Sequence, residues 1–199
     1  YVAFKVKSTN KEFLKDASVI IWTTTPWTIP ANRALAFNSN IEYSILEIED
    51  LEFFKEKKIV VAKNLIKAIT NECEIKNYKE IKTFKGSELT GTVCSHPFLK
   101  MNYDYDVPLL DGQFVNLDQG TGIVHCAPSH GADDFNLCLK NNIPSLYTVD
   151  NAGLYTKEIP HFTGTHVFKA DPIVIEKLKE QKKLLKNNKL THSYPHSWR

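Results

Sequence analysis

No apolar run in this sequence approaches the roughly 20 residues needed to span a membrane. Charge of one sign is also missing: 25 basic residues stand against 23 acidic ones, a formal net charge of +2. Such balance excludes a protein that grips a long nucleic-acid backbone through bulk charge, yet it suits one that receives a flexible single-stranded end. The four cysteines, Cys73, Cys94, Cys126 and Cys138, are scattered and form no CxxC pair. No zinc spacing or disulfide framework is therefore read, and free thiols in a reducing compartment are expected. Internal repeats, low-complexity segments and a Gly-x-Ser-x-Gly nucleophile elbow are absent as well. The start of the chain reads as a strand and not as a leader peptide. With 199 residues and 42% hydrophobic content, the chain can bury a core of its own. The expectation is one soluble, cytoplasmic, monomeric domain covering residues 1–199.

The first third has strand patterning. Tyr1 to Val6 alternates, Ser18 to Trp22 is β-branched, and Ile41 to Ile48 alternates again. Between the last two lies Thr23-Thr24-Thr25-Pro26-Trp27-Thr28-Ile29-Pro30, where two prolines argue against a regular helix or a central strand. Leu51 to Lys58 is charged and predicts a helical connection, Ile59 to Ala62 a short strand, and Lys63 to Cys73 a helix. Lys79 to Thr92, with Gly86 and Gly91, predicts strands joined by turns. Asp171-Pro172 predicts a capped helix start, with Val174, Leu178 and Leu185 on one face. Six lysines from Lys177 to Lys189 surround that face, as a solvated helix surface or as a nucleic-acid patch.

The middle of the chain holds Gly120-Thr121-Gly122-Ile123-Val124-His125-Cys126-Ala127-Pro128-Ser129-His130-Gly131-Ala132-Asp133-Asp134-Phe135. Ile123 to Ala127 predicts a buried strand, Pro128 to Gly131 a loop, and Ala132 or Asp133 the start of a helix through Phe135, Leu137 and Leu139. Strand alternation puts His125 on the face of Ile123 and away from Cys126, which argues against a Cys–His nucleophile. By itself a histidine in an apolar strand reads first as a satisfied core residue. A metallohydrolase built from His125, His130, Asp133 and Asp134 is a further alternative, although the spacing fits no mechanistic metal motif. The threonines supply small donors and acceptors beside rigid prolines, a wall suited to a small polar substrate or merely a β-edge.

Taken together, Trp22 to Asn32 and Gly120 to Phe135 resemble the two signatures of editing domains in class I aminoacyl-tRNA synthetases for branched aliphatic amino acids. His125, where valyl relatives tend to carry lysine, resembles the isoleucyl branch. Ser193 to Arg199 resembles the return segment towards a synthetase's catalytic core, here residues 190–199. Cys126 and Ser129 stand where bacterial relatives often carry other residues. Neither catalytic-core signature is present, so the resemblance is to the inserted domain alone and covers nearly the whole chain.

The resemblance implies an α+β fold: a central, partly closed β-barrel with surrounding helices. It implies hydrolysis of valine wrongly joined to tRNA(Ile) by an ordered water, with valyl-adenylate left open as a second substrate. The partners would be the valine-carrying 3′ end of tRNA(Ile) and the rest of a parent synthetase, with no membrane, cofactor or metal. Asp134 would hold the α-ammonium, and His125 would border the side-chain pocket. Thr23, Thr24, Thr25 and Thr28 would contact the ester, the terminal adenosine or the water. Of these, Thr24 and Thr25 join His125 and Asp134 as the catalytic set, while Thr23 and Thr28 join Trp22, Asn32 and His130 as binding residues. Trp22 would support the adenosine. The alternatives are a valyl-type domain removing threonine, a tRNA-docking module without hydrolysis, and a purely structural insert.

Overall fold

The computed structural model describes residues 1–49, 51, 52 and 54–188. Expectations for Lys189 and for the return segment 190–199 lie outside the described residues. In chain order the strands and helices are β1 (Val2–Ser8), β2 (Ala17–Ile21), β3 (Ala34–Phe37), β4 (Glu42–Ile48), β5 (Lys58–Ala62), α1 (Ile66–Glu72), β6 (Tyr78–Lys85), β7 (Val93–Ser95), β8 (Asp106–Asp111), β9 (Val124–Cys126), α2 (Ala132–Lys140) and α3 (Ala170–Glu180). No helix among the described residues is long and apolar enough to cross a membrane.

The strands form one mixed sheet in the order β6-β4-β5-β2-β1-β7-β8-β3-β9. Two pairs, β2 with β5 and β3 with β8, are parallel, and the others are antiparallel. The α+β, barrel-like expectation holds, with the sheet curled but not closed by pairing of β6 with β9. What closes the rim is the segment before β9. The Ala62 N–H donates to the Thr121 carbonyl at 2.8 Å, and the buried Tyr43 hydroxyl donates to the Gly122 carbonyl at 2.7 Å. Gly122 permits this contact: its φ is +74°, and a Cβ there would lie 2.4 Å from the Ala62 Cβ.

Alternation along the strands sorts side chains between two cores. Phe4, Val19, Ile21, Tyr43, Ile45 and Val60 point into the barrel, while Ala3, Ile20, Leu46, Ile59 and Val61 pack outward beneath α1. A third, smaller cluster joins Ala34, Ala36 and Cys126 to Leu137 and Cys138 of α2. Each strand of the β1–β2–β5–β4 half is therefore covered on both faces, which explains its nearly continuous apolar runs.

Four expectations need correction. Leu51 to Lys58 is not helical: Leu51 bridges Phe54, Phe54 bridges Lys183, and β5 begins at Lys58. Phe54 is fully buried in the outer core, so tertiary burial overrides the charged local composition. Lys79 to Thr92 contributes one strand, β6, followed by a 3₁₀ turn at Gly86–Leu89. Asp171 is not the cap of α3, which starts at Ala170 after Lys169 with no side-chain cap, and its carboxylate is used elsewhere. Leu185 lies beyond the end of α3 and packs in the outer core, apart from Val174 and Leu178. Among the described residues the lysines after Glu176 are largely charge-compensated: Lys177 pairs with Glu180, Lys179 with Glu176, Lys183 with Glu56 and Lys186 with Glu74.

Candidate active site

Pro26 and Pro30 shape the first signature. They leave Pro26–Ala31 as a 3₁₀ turn between β2 and β3, with Pro26 in its first position. Within it the Thr28 N–H and the Thr28 hydroxyl both donate to the Thr25 carbonyl, at 3.0 and 2.9 Å. Just before it, Thr23 and Thr25 share a hydroxyl–hydroxyl bond of 3.1 Å, and the Thr25 N–H donates to the Thr23 hydroxyl oxygen. One hydroxyl proton of that pair is left over whichever threonine donates. Thr24 is exposed, while Thr28 and Asn32 are buried.

β9 presents His125 to this turn. The strand is shorter than expected, Val124–Cys126, but its alternation is as read: His125 and Ile123 face inward, and Cys126 packs outward against α2. Burial raises the Cys126 thiol far above its usual range, so it is no ready nucleophile. Both ring nitrogens of His125 are engaged: Nε2 lies 2.8 Å from Thr28 Oγ1, and Nδ1 lies 3.1 Å from Asn32 Nδ2. The Asn32 amide also donates to the Ala34 carbonyl at 2.9 Å, which fixes its NH₂ end towards the ring. His125 Nδ1 is therefore an acceptor, Nε2 carries the proton, and that proton goes to Thr28, whose own proton goes to Thr25. Burial, reinforced by His130, lowers the His125 pKa to about 4. The ring is neutral, locked, and has no vacant lone pair to take a proton or a cation.

The second signature continues into α2. Asp134 sits in the first turn of α2 and accepts from the Ala127 N–H at 2.9 Å, stitching the helix to the end of β9. A Cβ at Gly131 would lie 2.9 Å from the Asp134 carboxylate, so any larger residue there must push that carboxylate aside. Burial raises the Asp134 pKa, opposed by the Ala127 bond. His130 shares a hydrogen bond of 2.9 Å with Thr148 and packs edge-on against Trp27 at 4.8 Å between ring centres; burial lowers its pKa. Trp22 stands apart, beside Gly120, lining a cavity of about 240 Å³ with Phe114, Asn116, Gln119 and Val124.

The fold thus brings Thr23, Thr25, Thr28, Asn32 and His125 into one hydrogen-bonded group, with His130 and Asp134 on the adjoining loop and helix. Among the described residues no three His, Cys, Asp or Glu side chains gather as a metal site. The pattern offers a rigid neutral wall, a leftover hydroxyl proton and one half-buried carboxylate, without a nucleophile–base pair.

Several supporting residues escaped the sequence reading. The ring of His96 donates from Nε2 to the Ile29 carbonyl at 3.0 Å and accepts from the Phe98 N–H, and burial lowers its pKa to about 3. The Tyr105 hydroxyl donates to the Asn32 carbonyl at 2.7 Å, and its ring carries the Arg33 guanidinium at 4.4 Å. Asp171 and Tyr155 hold Trp27. The only local signal for these contacts was the two prolines, which leave backbone groups in need of outside partners.

The chain resembles known proteins in the same sense. A sequence model of the family described as "Leucyl-tRNA synthetase, editing domain" matches residues 2–186. Isoleucine--tRNA ligase of Pelagibacter ubique is 64% identical over 199 residues, all of this chain and 22% of that protein. Those of Brevibacillus brevis and Francisella tularensis subsp. tularensis are 43% and 42% identical, again over the whole chain and 20% and 21% of their own lengths. The chain therefore spans about a fifth of the curated relatives it matches. Among solved structures, GlLeuRS-CP1 has a TM-score of 0.70 at 15% identity, covering 98% of both chains. The P. knowlesi cytosolic leucyl-tRNA synthetase editing domain has 0.67 at 11%, covering 92% of this chain and 93% of that one, a likeness of fold alone. With its two signatures folded against each other and the family matched from residue 2 to residue 186, the chain belongs to the editing-domain family of class I aminoacyl-tRNA synthetases.

Proposed function

We propose that this chain is the editing domain of an isoleucine--tRNA ligase and that it hydrolyses the ester joining valine to the 3′ end of tRNA(Ile). A site that selects isoleucine rejects valine poorly, because one methylene is worth only about 1–3 kcal/mol, a magnitude established for isoleucyl-tRNA synthetase itself and not obtained from this chain. A second site that excludes the larger side chain removes the error. The observation that carries this reading is the immobilised His125. Held at both ring nitrogens by Thr28 and Asn32, it cannot swing aside to admit another methyl group.

In this reading Asp134 pairs with the α-ammonium of valine, a charge-assisted contact stronger than a neutral one. The leftover hydroxyl proton of the Thr23–Thr25 pair donates to an oxygen of the ester or ribose. Water attacks the carbonyl carbon, the bond to the ribose oxygen breaks, and that oxygen takes up a proton, releasing valine and intact tRNA. His125 has no free nitrogen for the proton, so orientation and the neighbouring ribose hydroxyl supply most of the rate. Water is the only co-reactant this hydrolysis consumes. The tRNA is delivered by the remainder of the parent enzyme, in the cytoplasm.

The test is titration of the purified chain with non-hydrolysable valyl-, isoleucyl- and threonyl-adenosine analogues, repeated with Asp134→Ala. Binding of the valyl analogue alone, lost on removing Asp134, is the expected result. Equal binding of the isoleucyl analogue overturns the size argument. Preference for the threonyl analogue indicates a valyl-type site, and no binding at all leaves a docking or structural insert.

A further inference from the structure

The threonine turn contains a backbone defect that its own residues cannot repair. In a 3₁₀ turn the carbonyl of each residue accepts from the N–H three positions on. For Trp27 that position is Pro30, which has no N–H. The Trp27 N–H is likewise one of the unpaired donors at the start of the turn. Both groups are satisfied from far away in the chain. Asp171, 144 residues on, accepts from the Trp27 N–H at 2.8 Å. Tyr155, 128 residues on and only 2% exposed, donates its hydroxyl to the Trp27 carbonyl. Trp27 lies between Thr25 and Thr28, and its ring rests on His130.

We infer that Asp171 and Tyr155 are positioning residues for the editing reaction: by gripping both backbone groups of Trp27 they set where Thr25 and Thr28 stand, and through Thr28 where His125 stands. The inference rests on the proposed hydrolysis for its kinetic consequences, but its geometric content is independent of it. The Asp171 carboxylate, at the first turn of α3, and the Tyr155 ring in the main core are rigidly mounted. The turn has no other side-chain hold on Trp27's backbone among the described residues. A displacement there moves two site threonines together, and a misplacement near 1 Å can cost on the order of 100-fold in rate.

Tyr155→Phe removes the donor while keeping the ring, Asp171→Ala removes the acceptor, and Asp171→Asn restores an acceptor without the charge. Hydrolysis of valyl and isoleucyl esters is compared at a temperature where all variants are folded. Tyr155→Phe and Asp171→Ala should lower kcat for the valyl ester by about 10-fold or more, with less change in KM. They should also narrow the valyl-to-isoleucyl preference, and Asp171→Asn should recover most of the loss. If the two disabling variants lose only thermal stability and keep kcat and preference within about twofold, the inference is wrong. Failure of Asp171→Asn to recover activity overturns the acceptor role. Should the unaltered chain be inert towards valyl esters, the proposed function fails, yet the positioning claim is still read from the His125 ring-nitrogen resonances. Those must shift in Tyr155→Phe and Asp171→Ala, and unchanged resonances refute it.

Discussion

His125 Nε2 lies 2.8 Å from Thr28 Oγ1, although 97 residues separate them in the chain. The contact joins the two signatures into a single object. Its direction follows from the neighbours: Asn32 donates to the other ring nitrogen, and Thr28 spends its own proton on the Thr25 carbonyl.

That direction makes a stability prediction. Thr28→Val keeps the volume but leaves the His125 Nε2–H buried without an acceptor, at an expected cost of about 1–3 kcal/mol. Thr28→Ser should retain most of the stability. Urea unfolding of the three proteins checks it, and a Val variant as stable as the original would mean that the hydrogen bond contributes nothing.

The buried histidines predict a pH dependence. Burial lowers the pKa of His125 to about 4 and of His96 to about 3, against about 6.5 in an unfolded chain. Below pH 6.5 the unfolded state therefore binds protons that the folded state refuses. Stability from these two residues is fully present above about 6.5 and drains as pH falls towards their folded values, by at most about 1.4 kcal/mol per pH unit for each. The raised carboxyls of Asp134 and Asp171 act in the opposite sense. Imidazole titration by NMR separates the contributions: both rings should stay neutral at pH 5.5 in the folded chain.

Barrel closure depends on Gly122. Gly122→Ala must adopt a φ of +74° and place its Cβ 2.4 Å from that of Ala62. The expected loss exceeds about 1 kcal/mol from the backbone alone, with about 1–3 kcal/mol more from overpacking. Because Thr121 and Ile123 flank it, valyl-analogue binding should weaken in the same variant. Unaltered unfolding and binding would show that the rim contact is dispensable.

Glu56 pairs with both Lys5 of β1 and Lys183 beyond α3. Burial raises its carboxyl pKa, but Lys183 and then Lys5 outweigh this and hold it below the usual range. With the pKa lowered, the stabilisation is present above the unfolded value and is lost as pH falls through the folded one. Glu56→Gln should cost about 1–3 kcal/mol at pH 7 and little at strongly acidic pH. A pH-independent difference in denaturant midpoint would argue against the charge.

Much of the site was legible beforehand because it depends on short-range rules. Period-two alternation turns His125 inward and Cys126 outward. Pro26 and Pro30 forbid a regular element between β2 and β3, which leaves the threonines on a stiff turn. The close approaches at Gly131 and Gly122, by contrast, involve groups that meet only in the folded chain. What stayed hidden are the contacts made by residues unremarkable in their own surroundings. Asp171-Pro172 has the local look of a helix cap, yet its carboxylate serves Trp27. Phe54 sits in a charged segment that looks helical, yet it is drawn into the outer core and bridges Lys183, contacts it cannot sense locally.

The sequence by itself thus determined the strand and helix periodicities, the inward face of β9, and the two polar signatures with the chemistry their residue types permit. Tertiary structure alone decided the order of the nine described strands, the parallel pairing of β2 with β5 and of β3 with β8, and the rim contact through Gly122. It alone decided the tautomer of His125 and the hold of Asp171 and Tyr155 on Trp27. The division has a physical cause: periodicity is imposed on each residue by its chain neighbours, whereas pairing and buried polar partners are settled by which distant groups can meet once the apolar faces have been packed.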